Sequence, residues 1–140
     1  MQIYYYTRTN RSKKIAEDLA NKYNISHSQI NKISDGKDWS GKRNFLRGGA
    51  MASAKKSLPA VYKAPIQNKK IIIIFPVWAG SLPPAVRTFV EGVRNNQSAN
   101  FEMIAIPTSL GTKLKERAFF NEVIDLVGKE ISIDGVNINC

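Results

Sequence analysis

The chain contains one cysteine, Cys140, and it is the last residue. A disulfide framework and a multi-cysteine metal site are thereby excluded. Histidine is equally scarce: His27 stands alone, with no cysteine or acidic cluster near it in sequence. It supplies neither a recognisable metal-ligand spacing nor the base of a serine triad, and it reads as a surface or edge residue. Long hydrophobic runs are missing too. The longest is Ile71–Phe75, resuming past Pro76 at Val77–Ala79, whereas a membrane-spanning helix needs about 20 apolar residues. Met1–Tyr6 is apolar first and basic afterwards, the reverse of a secretory signal. The expectation is a soluble, cytoplasmic protein that does not engage a membrane.

Acidic residues are few, 11 against 21 lysines and arginines, and the imbalance is local. Residues 1–70 hold 15 of the basic groups and 4 of the acidic ones. Such a field suits an acidic protein, an anionic ligand or nucleic acid as partner. What is present in quantity is apolar material: 43% of 140 residues. That fits one domain, residues 1–140, whose single core buries roughly 68–70% of the unfolded surface without a metal or disulfide staple.

Strand and helix signals alternate along the chain. Gln2–Thr7 is short, aromatic and apolar, and reads as a strand. Ile15, Ala16, Leu19 and Ala20 recur at helical spacing after the polar stretch Thr9–Ser12, which predicts a helix from Ser12 to about Lys22. A weak strand over 25–33, a loop over 34–40 and a helix over 44–58 follow, the last centred on Phe45, Leu46, Met51 and Ala54. Gly48-Gly49 weakens that helix by about 1 kcal/mol per glycine. Ile71–Phe75 predicts a strand buried on both faces. Pro83-Pro84 opens a helix with Val86, Phe89, Val90 and Val93 as its apolar stripe. A strand over 101–106 ends at Pro107, a helix occupies 113–127, and a last strand runs over 131–138, with Asp134-Gly135 marking a hairpin or a kink. This β-α-β-α-β-α-β-α-β order implies an α/β fold, with a parallel sheet and helices on both faces. Ligands in such folds bind at the carboxyl ends of the strands, which selects three loops: Thr7–Ser12, Pro76–Pro83 and Pro107–Thr112.

The first loop, Thr7-Arg8-Thr9-Asn10-Arg11-Ser12, joins hydroxyls, cations and a helix N-terminus, the elements of a phosphate site. On residue chemistry alone, an ordinary helix cap explains it as well. With Tyr5-Tyr6 before it and Lys13-Lys14-Ile15-Ala16 after it, the segment resembles the phosphate-binding loop of the flavodoxin family, Ser/Thr-x-Thr-Gly-Asn-Thr. It matches at Thr7, Thr9 and Ser12 and departs at Asn10 and Arg11, where the family has glycine and asparagine. The second loop, Pro76-Val77-Trp78-Ala79-Gly80, with Arg87-Thr88-Phe89 downstream, is similar to the family's Pro-Val-Trp-(Ala/Trp)-Gly segment. Here Trp78 is expected as an exposed aromatic beside a glycine that lets backbone approach a flat ligand. The third, Pro107-Thr108-Ser109-Leu110-Gly111-Thr112, resembles a Thr-Ser-Gly-Gly turn with Leu110 in place of a glycine.

The resemblance implies a single doubly wound five-stranded sheet in the order 2-1-3-4-5 binding one FMN. Thr7, Arg8, Thr9, Asn10, Arg11 and Ser12 would hold its phosphate. Pro76, Val77, Trp78, Ala79 and Gly80 would lie along one side of the isoalloxazine, with Thr108, Ser109, Leu110 and Gly111 along the other. The implied activity is electron transfer with a redox partner protein and no catalytic acid or base. An FMN-dependent reductase of a quinone-like substrate and a flavin-free fold kept as a binding module are the alternatives. Typical flavodoxins are acidic and dock on basic partners; here the surplus is basic, so the expected partner is acidic. The chain also ends where the family's fifth strand ends, so a homodimer or another partner is expected over the sheet face that a final helix would cover.

Other patterns carry less. Gly36–Lys42 has the spacing of a P-loop, but Arg43 stands where the magnesium-binding hydroxyl belongs. Glu17 and Asp18 are adjacent on a helix and point apart, and Asp38 is isolated, so none forms an acid–base pair. Residues 37–70 hold nine basic residues against Asp38, with Trp39 and Phe45 interleaved. A solvated helix face accounts for that pattern more simply than a nucleic-acid platform does.

Overall fold

Ile71-Ile-Ile-Ile-Phe75 is too apolar to leave either face in water, and it becomes an interior strand. A computed structural model describes residues 2–37, 39, 41–54, 56–62, 70–76, 78, 82–96, 102–108 and 131–132. Within them the chain runs β1 (Gln2–Tyr5), α1 (Arg11–Lys22), β2 (Ile30–Lys32), α2 (Gly41–Ser53), β3 (Lys70–Pro76), α3 (Pro84–Asn96) and β4 (Glu102–Thr108). The four strands are parallel and lie in the order β2-β1-β3-β4. A two-residue segment, β5 (Ile131–Ser132), pairs parallel with Met103 and Ile104 of β4. This is the α/β class that the alternation predicts.

Side chains alternate across the sheet as the pleat requires. Tyr4, Tyr6, Ile71, Ile73, Phe75, Met103 and Ala105 share one core with Ala52 of α2 and with Ala85, Val86, Phe89, Val90 and Val93 of α3. Ile3, Tyr5, Ile72, Ile74 and Ile106 share the other with Ile15, Ala16 and Ala20 of α1. Described helices therefore cover both faces, α2 and α3 the first and α1 the second. Tyr4 is fully buried, its ring 5.0 Å from Phe89 and 5.6 Å, edge-on, from Tyr62. Burial, reinforced by the neighbouring Tyr62, pushes its phenol up to about 12.

Three boundaries differ from expectation, each for a local reason. β2 is shorter than 25–33 because the Ile25 N–H still bonds the Ala20 carbonyl at the end of α1 (2.8 Å) and Ser26 caps a 3-10 turn over His27–Gln29. β4 does not stop at Pro107 but continues to Thr108, paired Phe75 to Pro107 and Pro76 to Thr108. Proline withholds one N–H yet keeps an extended backbone, and the described pairing on the β5 side reaches only Ile104, so no described bond is lost. The third is α2. It starts at Gly41, and its buried positions are Gly48 and Ala52, whereas Phe45, Leu46 and Ala54 face solvent. The expected helix over 113–127, most of the strand over 131–138 and Cys140 lie outside the described residues.

Segment 56–62 is tied down at both ends. The Leu58 N–H donates to the Pro84 carbonyl at 3.4 Å and the Thr88 hydroxyl donates to the Leu58 carbonyl. Ser34 and Val61 form an antiparallel bridge with N–H to O distances of 2.9 and 2.8 Å. Among the described residues no helix is long and apolar enough to cross a membrane.

Ile73 is fully buried, so Ile73→Ala is expected to cost about 2–5 kcal/mol. A lower urea midpoint with an unchanged slope would show it. Tyr4 gives a pH prediction. Its raised phenol favours the neutral form in the folded chain, so its stabilisation is full below the ordinary 10.0 and is lost as pH climbs towards about 12. In alkaline denaturation, Tyr4→Phe is expected to flatten the fall in stability over that interval.

Candidate functional site

Strand order reverses between β1 and β3, because the chain leaves β1 for β2 on one side and returns to β3 on the other. The crevice outside the carboxyl ends at such a switch point is where ligands bind in open α/β sheets. Three chain segments meet there. β1 runs out through Tyr6, whose N–H donates to the Ile74 carbonyl at 2.9 Å, into the loop that opens α1. β3 ends at Pro76 and β4 at Thr108, register partners of each other.

The β1–α1 loop has the shape of a turn that normally demands glycine. Asn10 has φ 64° and ψ 6°, left-handed backbone that asparagine tolerates better than most residues. Asparagine thus keeps a turn at the position where the resembled loop has glycine. Asn10 makes no side-chain cap, and the first turn of α1 contains no acidic residue. The N–H groups and the dipole at that helix end therefore meet no carboxylate of the turn itself. Thr9, Asn10 and Arg11 are exposed, Thr7 and Arg8 are half-buried, and Ser12 is buried. Arg8 reaches sideways to α2, its guanidinium 4.2 Å from the centre of the Phe45 ring. At the other strand ends, Pro76 is half-buried and Thr108 is buried, its hydroxyl donating to the Phe75 carbonyl at 3.3 Å. Val77, Ala79, Gly80, Ser109, Leu110 and Gly111 lie outside the described residues.

Trp78 is not the exposed aromatic that the sequence suggests. It is 7% exposed, packed edge-on against Tyr6 at 5.6 Å and Trp39 at 5.3 Å. α2 makes this possible through Gly48. A Cβ at that position would stand 3.1 Å from Trp78 and 3.2 Å from Trp39, and two buried indoles have little room to yield. A large residue cannot occupy this point of the helix. That is why the face predicted around Phe45 and Leu46 turned outward.

Beneath the tryptophans lies a residue that sequence reasoning missed. Asp35, just after β2, accepts the Tyr6 hydroxyl at 2.8 Å and the Trp39 Nε1–H at 2.9 Å, both on Oδ2. Its other oxygen accepts the Lys37 N–H at 2.9 Å, an Asx turn. One carboxylate thus joins the ends of β1 and β2 to the tryptophan pair. Burial first, then the hydrogen bond to Asp35 and its negative charge, raise the Tyr6 pKa well above the ordinary phenol range, with Trp39 and Arg8 pulling the other way. Tyr6 therefore keeps its proton and serves as a hydrogen-bond donor to Asp35. The local signal was only Ser34-Asp35-Gly36, a turn; its long-range partners are a product of the fold.

No protein-family model and no curated protein sequence matches the chain. Solved structures do. The crystal structure of a flavoprotein from Lactobacillus acidophilus in complex with FMN superposes with a TM-score of 0.73 at 19% identity, over 95% of this chain and 88% of that one. The fold is flavodoxin-like. A protein from Bacteroides uniformis assigned as a flavoprotein gives 0.69 at 18% identity, over 94% of this chain and 85% of that one. The apo form of the Lactobacillus acidophilus flavoprotein, solved by NMR, gives 0.59 at 19% identity, over 94% and 87%. Of the three loops picked from sequence, the described parts are Thr7–Ser12, Pro76, Trp78, Leu82 and Pro83, and Pro107–Thr108.

Asp35→Ala removes the acceptor of three donors, of which the two part-buried ones, Tyr6 and Trp39, are each worth about 1–3 kcal/mol when left unsatisfied. Urea unfolding is expected to show a loss in that range or above it, and near-UV circular dichroism a weakened tryptophan signal. Asp35→Asn, which keeps an acceptor oxygen, is expected to recover part of both.

Proposed function

We propose that this chain is a five-stranded, doubly wound flavodoxin-like domain, order 2-1-3-4-5, that binds one FMN noncovalently and carries electrons for a partner protein. The observation that carries the reading is the β1–α1 loop. A left-handed Asn10 turns the backbone into a helix N-terminus whose first turn has no acid, with Arg8 and Arg11 flanking it. Its donor set of backbone N–H groups, threonine hydroxyls and guanidinium fits a phosphate monoester. The likeness to a flavoprotein that binds FMN supports the choice of ligand.

Bound FMN supplies the redox chemistry; the protein orients it and tunes its potential. Thr7 and Thr9 offer hydroxyls to the phosphate, and Asn10 and Arg11 offer backbone N–H groups. Ser12 has a buried side chain, so its contribution is the N–H at the second position of α1. Arg11 is exposed at the mouth of the loop and supplies the mobile positive charge. Trp78, set by Trp39, Tyr6 and Gly48, would form the wall at the end of β3. The resemblance assigns Val77, Ala79 and Gly80 to the same side of the isoalloxazine and Ser109, Leu110 and Gly111 to the other. Pro76 and Thr108 steady the strand ends, Thr108 through its bond to Phe75. Electron transfer needs no side-chain acid or base, and none is assigned.

The purified protein, mixed with FMN and desalted, is expected to retain the flavin absorbance with quenched fluorescence. FMN is expected to bind more tightly than riboflavin, because riboflavin lacks the phosphate. Arg11→Ala should weaken FMN roughly tenfold to a hundredfold, the equivalent of about 1.5–3 kcal/mol for a charge-assisted bond, and leave riboflavin nearly unchanged. No retained flavin, or equal affinity for the two ligands, would overturn the reading.

A further inference from the structure

Helix α2 is built inside out. A surface helix normally buries its large apolar side chains and shows its small and polar ones. Here the buried positions are Gly48 and Ala52, while Phe45 and Leu46 are 45% and 71% exposed. Lys42, Arg43 and Arg47 surround them, all exposed, and no acidic residue sits in the first turn. Cations there oppose the helix dipole, so local stability does not account for their placement. Arg8 extends the patch back to the β1–α1 loop through its stacking on Phe45. The face is therefore an apolar centre with a basic rim, continuous with the candidate FMN site.

We propose that this face of α2 docks an acidic protein, and that it is the redox partner's docking surface; the second clause rests on the FMN reading above. An apolar centre with a complementary charged rim is the arrangement of a protein–protein contact. A second copy of the chain is disfavoured, because the same face would bring its cations against their own kind. Single-stranded nucleic acid gains its sequence-tolerant affinity from bases stacked on aromatic faces. One face of Phe45 is already covered by Arg8, and Leu46 offers no ring. A partner seated here lies on the helix that packs through Gly48 against Trp78, the proposed wall of the isoalloxazine, which keeps the path for an electron short.

The test uses the full chain and a defined probe, an acidic [2Fe–2S] ferredoxin, with amide chemical shifts recorded by NMR at low and at high salt. The expected result is a saturable set of shifts centred on 42–47 and Arg8, strongly reduced at high salt. Arg43→Glu combined with Arg47→Glu is expected to lower affinity by about tenfold or more, and Leu46→Ser by a smaller factor that salt does not change. Shifts centred elsewhere, affinity unaffected by the charge reversal, or absence of binding would overturn the proposal. So would an oligothymidylate that binds this face more tightly than the ferredoxin, or a concentration-dependent dimer that the charge reversal dissolves. The absorbance of retained FMN in the same variants separates the two readings. Docking with no flavin retained removes the redox role and keeps the acidic partner; flavin retained without docking does the reverse.

Discussion

Every part of the architecture answers to β3. Four isoleucines and a phenylalanine in a row cannot satisfy one wet face, so the strand must be flanked by other strands and covered above and below. β1 and β4 flank it, α1 covers Ile72 and Ile74, and α2 and α3 cover Ile71, Ile73 and Phe75. Once β3 is interior and β2 lies outside β1, the strand order has to reverse beside β3. The reversal brings the β1–α1 loop next to the end of β3. The position of the candidate site is in this sense a by-product of hydrophobic burial.

The chemistry of that position is then refined by short-range contacts of a different kind. A carboxylate gathers a phenol and an indole, a glycine admits two tryptophans, and an asparagine stands in left-handed backbone. None contributes much apolar area. They decide instead which side chains are held rigid and which are turned outward. Gly48 does both, since the closeness that fixes Trp78 and Trp39 also leaves Phe45 and Leu46 no place inside.

Much of this was legible in sequence where one physical signal dominated. The uniform apolarity of β3, the helical spacing of Ile15, Ala16 and Ala20 and of Val86, Phe89, Val90 and Val93, and the proline at the start of α3 each admit one local structure. Legibility failed where two local signals compete or where the deciding partner is distant. Pro107 reads as a stop, yet parallel pairing with β3 carries the strand past it. Phe45 and Leu46 read as core because size usually predicts burial, and only the tertiary position of two indoles reverses that rule. For the candidate site, the β1–α1 loop stood out in sequence because its hydroxyls and cations are contiguous. Asp35 was not, because Tyr6 is 29 residues away in the chain.

β2 leaves the sheet with an open border, and an open border invites another chain to add a strand. This one is only three residues long and carries the exposed Lys32. A 3-10 turn closes one end, and the antiparallel bridge between Ser34 and Val61 closes the other. A foreign strand would find too few free backbone groups to repeat a ladder before meeting a turn or a segment running the opposite way. Along this border the protein thus keeps an interior rich in isoleucine, the very composition that favours fibrillar stacking, from offering a template for it.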